Sequence, residues 1–207
     1  MKFDCALDCL NCCTLEEGED KKILVFPEEV SRLEGLAVEL GKDKFAVIED
    51  LVFPNVKDST VVVATYKLYF IHDTTCAFLD KNEKRCTIHD SKPLACKAYP
   101  IAIKTVDATS KEYFLDTGCQ FIEDHLEFYE SIKELSEIAE VEAFLNENFP
   151  FELEAAKKLL DRLNWISLRL RQLEYLSEIE MPENGFSKED WENALEKWER
   201  RDLTPPE

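Results

Sequence analysis

Glycine is scarce in this chain, with five in 207 residues. So few can hardly build a glycine-rich phosphate loop, and neither GxGxxG nor GxxxxGKS/T occurs. The metalloprotease helix HExxH and the nucleophile elbow GxSxG are also missing. Histidine is limited to His72, His89 and His125, and glutamine to Gln120 and Gln172. No stretch approaches the roughly 18 apolar residues that span a bilayer, so no membrane association is expected. The opening MKFDCALDCLNCC holds neither an apolar run of about 7–15 residues nor a small-residue cleavage site. The expectation is a cytoplasmic protein without a secretory signal.

Positive charge is short as well. Lys and Arg number 25 against 44 Asp and Glu, a formal net charge of −19. A chain this acidic is repelled by DNA and by anionic membranes, and it lacks the basic excess that releases counterions from nucleic acid. No nucleic-acid partner is expected. With 45% hydrophobic and 33% charged residues the composition is that of a globular protein.

Cysteine is present in a pattern. All eight lie between residues 5 and 119. Four fall within nine residues, CALDCLNCC, as Cys5, Cys9, Cys12 and Cys13, spaced C-x3-C-x2-C-C. Cys76, Cys86 and Cys96 follow as C-x9-C-x9-C, and then Cys119. In a reducing compartment such clusters are more often metal ligands or redox groups than disulfides. Two separated groups predict a site closed by the fold, with the N-terminal loop clamped onto central hairpins. Metal binding would then be folding free energy.

The adjacent pair Cys12–Cys13 is informative. Neighbouring side chains usually diverge, so either one ligates while the other packs, or each faces its own metal. Eight thiolates equal two four-ligand sites, for iron–sulfur clusters or for zinc. Soft thiolates also suit copper(I). Only Cys9 and Cys12 have knuckle spacing, and the ferredoxin run C-x2-C-x2-C-x3-C-P is absent. Spacing therefore leaves the metal open.

Between Lys81 and Lys111 there are seven basic residues against three acidic ones. Nearby cations lower thiol pKa and offset the charge of a thiolate centre. The same lysines read equally as a solvated strand edge. His89, three residues after Cys86, is a candidate ligand, thiolate donor or surface residue. His72 and His125 read as structural. Phe78, Tyr99, Tyr113, Phe114 and Phe121 read as core.

Val30, Leu33, Leu36, Ala37 and Leu40 at helical spacing after Pro27 predict a helix that stops at Gly41. FAVIEDLVF and STVVVATYKLYFI predict antiparallel strands turning near PNVKDS. KNEKRC reads as a turn, KPLACKAY as a short helix capped by Asp90 or Ser91, and IAIKTV with KEYFLDTG as a second strand pair. Beyond Cys119 the spacing predicts three helices, near 121–147, 151–180 and 187–201. An apolar stripe from Ala156 through Leu159, Leu163, Ile166, Leu170 and Leu173 to Leu176 marks the second. Ser187 and Asp190 form a capping box for the third.

CALDCLNCC, then CAFLDKNEKRCTIHDSKPLACKAYP, then a later Cys, resembles the YkgJ-type cysteine-cluster family of zinc- or iron-chelating domains. The likeness covers about residues 1–120. The first gap is three residues where two are usual, Asn11 precedes the pair, His89 stands where Tyr is common, and Lys92 and Lys97 replace Arg. The resemblance implies metal ligation by Cys9, Cys12, Cys13, Cys76, Cys86 and Cys96, with Cys5 and Cys119 as further members. In its cysteine motif the chain is distantly similar to flagellin lysine N-methylase.

The expectation is an α+β protein. Residues 1–120 form a small cysteine-cluster, metal-binding domain with β structure, and residues 121–207 form an antiparallel helical segment packed on it. The expected function is to hold an iron–sulfur centre of 4Fe–4S type in a redox or structural role. The alternatives are a zinc-stabilised interaction module, whose acidic helical segment takes a basic protein partner, and a protein-lysine methyltransferase-like enzyme. No recognisable S-adenosylmethionine loop supports the last.

Overall fold

The computed structural model describes residues 2–5, 11–14, 23–43, 45–55, 58–68, 75–107, 110–135, 137–175 and 187–206. In chain order the elements are β1 (Ile23–Val25), α1 (Pro27–Glu39), β2 (Val47–Asn55), β3 (Thr60–Leu68), β4 (Leu79–Asp80) and β5 (Arg85–Cys86). A 3-10 turn at His89–Ser91 leads to α2 (Leu94–Ala98), β6 (Ile101–Thr105) and β7 (Lys111–Leu115). Then come α3 (Gln120–Asp124), α4 (Leu126–Glu130), a second 3-10 turn (Ser131–Glu134), α5 (Ile138–Asn148), α6 (Pro150–Tyr175), α7 (Lys188–Lys197) and β8 (Glu199–Asp202). Helices with antiparallel hairpins make this an α+β fold, as expected. Among the described residues no helix is long and apolar enough to cross a membrane.

The chain folds into two compact units that interleave in sequence: residues 1–21 with 70–161, and residues 22–69 with 162–207. These differ from the expected division at residue 120. The physical reason is that Cys119 and the helices after it share one core with the preceding hairpins. That core contains Ala98, Ile101, Cys119, Ile122, Tyr129, Leu145, Phe149, Leu153 and Ala156.

In the second unit, β3 is the central strand. β2 pairs antiparallel along its length, β1 antiparallel with Tyr66–Leu68, and β8 in parallel with Thr60–Val63. Val61 to Thr65 are all buried, so this strand reads as a continuous apolar run instead of alternating. α1 begins with Pro27, and the Glu29 carboxylate accepts the Phe26 amide at 3.1 Å. Pro27, Leu33 and Ala37 are its buried positions, and Gly41, at φ +59°, ends the turn. Arg162 stacks between Phe26 (5.0 Å) and Trp165 (4.5 Å). Its guanidinium holds Glu28 at 2.8 and 3.1 Å and donates to the Leu203 carbonyl at 2.9 Å.

In the first unit, an aromatic group organises the core. Phe3 meets Phe121 edge-on at 5.0 Å and lies 5.4 Å from Phe149. The expected single helix over 121–147 is interrupted at His125 and again between α4 and α5, where the 3-10 turn Ser131–Glu134 intervenes. The His125 imidazole donates Nδ1–H to the Phe121 carbonyl at 2.9 Å, while its backbone amide turns to Ile122 O. The ring thus takes the carbonyl that a continuous helix would offer to residue 125's own N–H. Part of the expected stripe on α6 is buried, at Ala156, Ile166 and Leu173, whereas Leu163 is exposed and Leu176 lies outside the described residues. Ser187 accepts from the Asp190 amide and Asp190 from the Ser187 amide, so the capping box is formed.

Candidate metal centre

The N-terminal turn at Asn11–Thr14 is stitched into the first unit at three points. Thr14 makes an antiparallel bridge with Thr75, the Cys76 amide donates to the Cys13 carbonyl at 2.8 Å, and Asn11 Nδ2 donates to the Gly118 carbonyl at 2.9 Å. The two cysteine groups are thereby brought together, as the expectation of a clamped loop required.

Each downstream thiol sits on its own short element. Cys76 begins a turn in which the Leu79 amide returns to the Cys76 carbonyl at 3.0 Å. Cys86 ends the two-residue ladder of β4 and β5, opposite Leu79. The turn of that hairpin is made by Asp80 Oδ1, which accepts the amides of Asn82 and Glu83, with Lys84 at φ +46°. Thr87 donates both its amide and its hydroxyl to the Phe78 carbonyl. Cys96 lies on α2, entered through buried Pro93.

Cys12 and Cys13 touch, with Sγ to Sγ 3.7 Å. The divergence expected of neighbouring side chains does not hold here, because the pair lies in a turn and not in a helix or strand. Cys13 is held well above the ordinary thiol value, first by this hydrogen bond with Cys12, then by burial, then by the charges of Cys12, Cys76 and Cys86. Burial raises Cys96, and Cys76, Cys12 and Cys86 add to it, while Lys92 opposes. Burial also raises Cys86, against the Ile88 backbone amide and Lys92, which favour its thiolate. The lowering expected from nearby cations is therefore outweighed: one lysine acts against burial and against several thiols that repel each other as thiolates.

Cys12, Cys13, Cys76, Cys86 and Cys96 thus form one electrostatic neighbourhood. The two remaining described cysteines are Cys119 and Cys5. Cys119 is buried in the aromatic core beside Tyr129, whose hydroxyl is pushed up to about 12 by burial and by Cys119. Cys5 is exposed. Cys9 and His72 lie outside the described residues. The side chain of His89 is 56% exposed and sits 3.6 Å from Asp90, and His125 serves the backbone as described. Sequence reasoning missed Glu152 on α6, raised by burial and facing Lys92 and His89. Its only signal was an acidic residue in the first turn of a helix.

Among the described residues no three His, Cys, Asp or Glu side chains close on a single point as metal ligands do. The donor chemistry nevertheless fits a soft metal, since five described thiols share the neighbourhood. The Cys12–Cys13 contact also matches one edge of a metal tetrahedron. With bonds of about 2.3 Å, sulfurs around one zinc stand about 3.8 Å apart.

The fold and its thiol neighbourhood define a cysteine-rich protein of the metal-chelating class. Over residues 4–125 the chain matches, and belongs to, the CxxCxxCC family, described as "Putative zinc- or iron-chelating domain". No curated protein and no solved structure matches it.

Proposed function

We propose that Cys12 and Cys13 bind one metal ion together, with further thiolates drawn from Cys76, Cys86 and Cys96. The ion would fasten the N-terminal turn to the central hairpins, a structural role in which metal affinity is folding free energy. The observation that supports this is the 3.7 Å contact between the paired sulfurs. In a 4Fe–4S cluster each thiolate takes its own iron, so two sulfurs this close would not both ligate. A single tetrahedral zinc or iron is therefore the first reading.

An iron–sulfur cluster is the second. The observation favouring it is the count: with only one of Cys12 and Cys13 ligating, the five described thiols of the neighbourhood supply the four that a 4Fe–4S cluster takes.

Anaerobic purification followed by zinc, iron and acid-labile sulfide per chain tests both. One zinc or one iron without sulfide supports the single ion. About four irons with four sulfides, in a brown protein, supports the cluster. A folded chain that holds neither metal under any loading condition overturns both readings.

A further inference from the structure

The first unit contains an apolar cavity of about 280 Å³. It lies between β7, α3, α4 and α5 and is lined by Phe114, Ile122, Leu126, Ile132, Val141 and Leu145, with Glu130 among them. Three observations bear on its use.

The first is that its apolar surface continues into solvent. Ile138, Val141 and Leu145 follow one another at the i, i+3, i+7 spacing of a single helix face. Leu145 is buried, Val141 is half-buried, and Ile138 is 46% exposed. Phe114 and Leu126, which line the cavity, are 47% and 42% exposed. Single exposed apolar side chains are ordinary, but a run that leads out of a cavity is a contiguous patch.

The second is charge. From Asp116 to Glu147 the chain carries ten acidic residues and one lysine, Lys133. Glu123, Asp124, Glu127, Glu130 and Glu140 are exposed on the same helices that wall the cavity, and exposed Glu137 precedes α5.

The third is size. The volume lies just below the range of small-molecule pockets, so it suits one or two inserted side chains better than a whole cofactor.

We propose that this cavity is a docking site for a basic peptide segment of a protein partner. The segment would insert one or two aromatic or aliphatic side chains between Phe114, Leu126 and Val141, and its flanking Lys or Arg residues would face the acidic helices. Apolar anchors supply the affinity of such sites, and the charged rim supplies on-rate and selectivity. The inference does not depend on which metal the thiols hold.

The test is selection of short peptides from a displayed random library against the full, metal-loaded chain, with affinities of the winners measured by fluorescence anisotropy. The expected winners pair an aromatic or aliphatic anchor with flanking Lys or Arg. Leu126→Asp should weaken them at least about tenfold, which is about 1.4 kcal/mol. Glu127→Lys with Glu130→Lys should weaken them and flatten their salt dependence. Glu34→Lys with Glu39→Lys, an equal charge change in the other unit, should leave them unaltered. Thermal melts of each variant check that the fold is retained. Winners without basic enrichment, or winners indifferent to Leu126→Asp in a folded variant, overturn the proposal. So does preferential filling of the cavity by a small apolar dye that the winning peptides cannot displace.

Discussion

The backbone amide of Cys76 donates to the backbone carbonyl of Cys13 at 2.8 Å. This one bond joins the two cysteine groups through main chain, so their approach does not depend on thiol chemistry alone. It also places Cys76 next to the Cys12–Cys13 pair, whose sulfurs are 3.7 Å apart.

The thiols divide into two sets with different expected roles. Cys12→Ser, Cys86→Ser and Cys96→Ser should each lower metal per chain and the melting temperature of the loaded protein. Cys5→Ser and Cys119→Ser should keep full metal, although Cys119→Ser should cost some stability by placing a hydroxyl in the aromatic core. Elemental analysis with thermal melts checks this. Loss of metal in Cys5→Ser would place the centre elsewhere.

The apoprotein should weaken in alkali. Cys13, Cys86 and Cys96 are raised above an ordinary value of 9.0. Below that value they are neutral in both folded and unfolded chains. As pH rises past it, the unfolded chain ionises first, so stability falls from about pH 9 upward. Tyr129, pushed up to about 12, adds to the loss only at higher pH. Bound metal has already displaced the thiol protons, so the loaded protein should be flat where the apoprotein declines. Melting temperature against pH, with and without metal, reads the difference. Metal affinity should rise with pH through the neutral range, with measurable proton release.

Arg162 should not be replaceable by lysine. Its side chain is 10% exposed, stacks on two rings and holds both a carboxylate and the Leu203 carbonyl. An ammonium cannot stack and bridge in that plane. Arg162→Lys should cost about 1–3 kcal/mol in denaturant unfolding. Glu28→Gln should cost less, under about 1 kcal/mol, because that carboxylate is partly solvated.

Gly41→Ala should destabilise the end of α1 even though open space surrounds the position. The backbone there is at φ +59°, which a Cβ disfavours by roughly 1 kcal/mol. Urea unfolding should show a lower midpoint with an unchanged slope.

Much of the local structure was legible. The β2–β3 hairpin, the turn between β4 and β5, the β6–β7 pair and the Ser187 capping box all follow from alternation and turn chemistry visible in the residues. β8 was not. Its ERRD is exposed at every position and carries no apolar alternation, so only its pairing with β3 makes it a strand. The break at His125 depends on one imidazole reaching back to a carbonyl, which periodicity does not register. For the candidate site, the resemblance named all eight cysteines, and the sequence pattern alone did not single out Cys12, Cys13, Cys76, Cys86 and Cys96 among them. The turn that lets adjacent sulfurs meet, and the burial that draws Cys119 into an aromatic core, are tertiary facts.

The interleaving of the two units has a consequence for biosynthesis. Cys12 and Cys13 leave the ribosome before all of residues 22–69, and only then do Cys76, Cys86 and Cys96 appear. The early thiols are therefore made before the sheet of the other unit, and their downstream neighbours after it. That sheet waits in turn, since the flank of β3 that β8 covers stays open until the chain has been made past α7. Each unit thus spends part of synthesis without its own second segment, and errors of metal capture or strand pairing are concentrated in that interval.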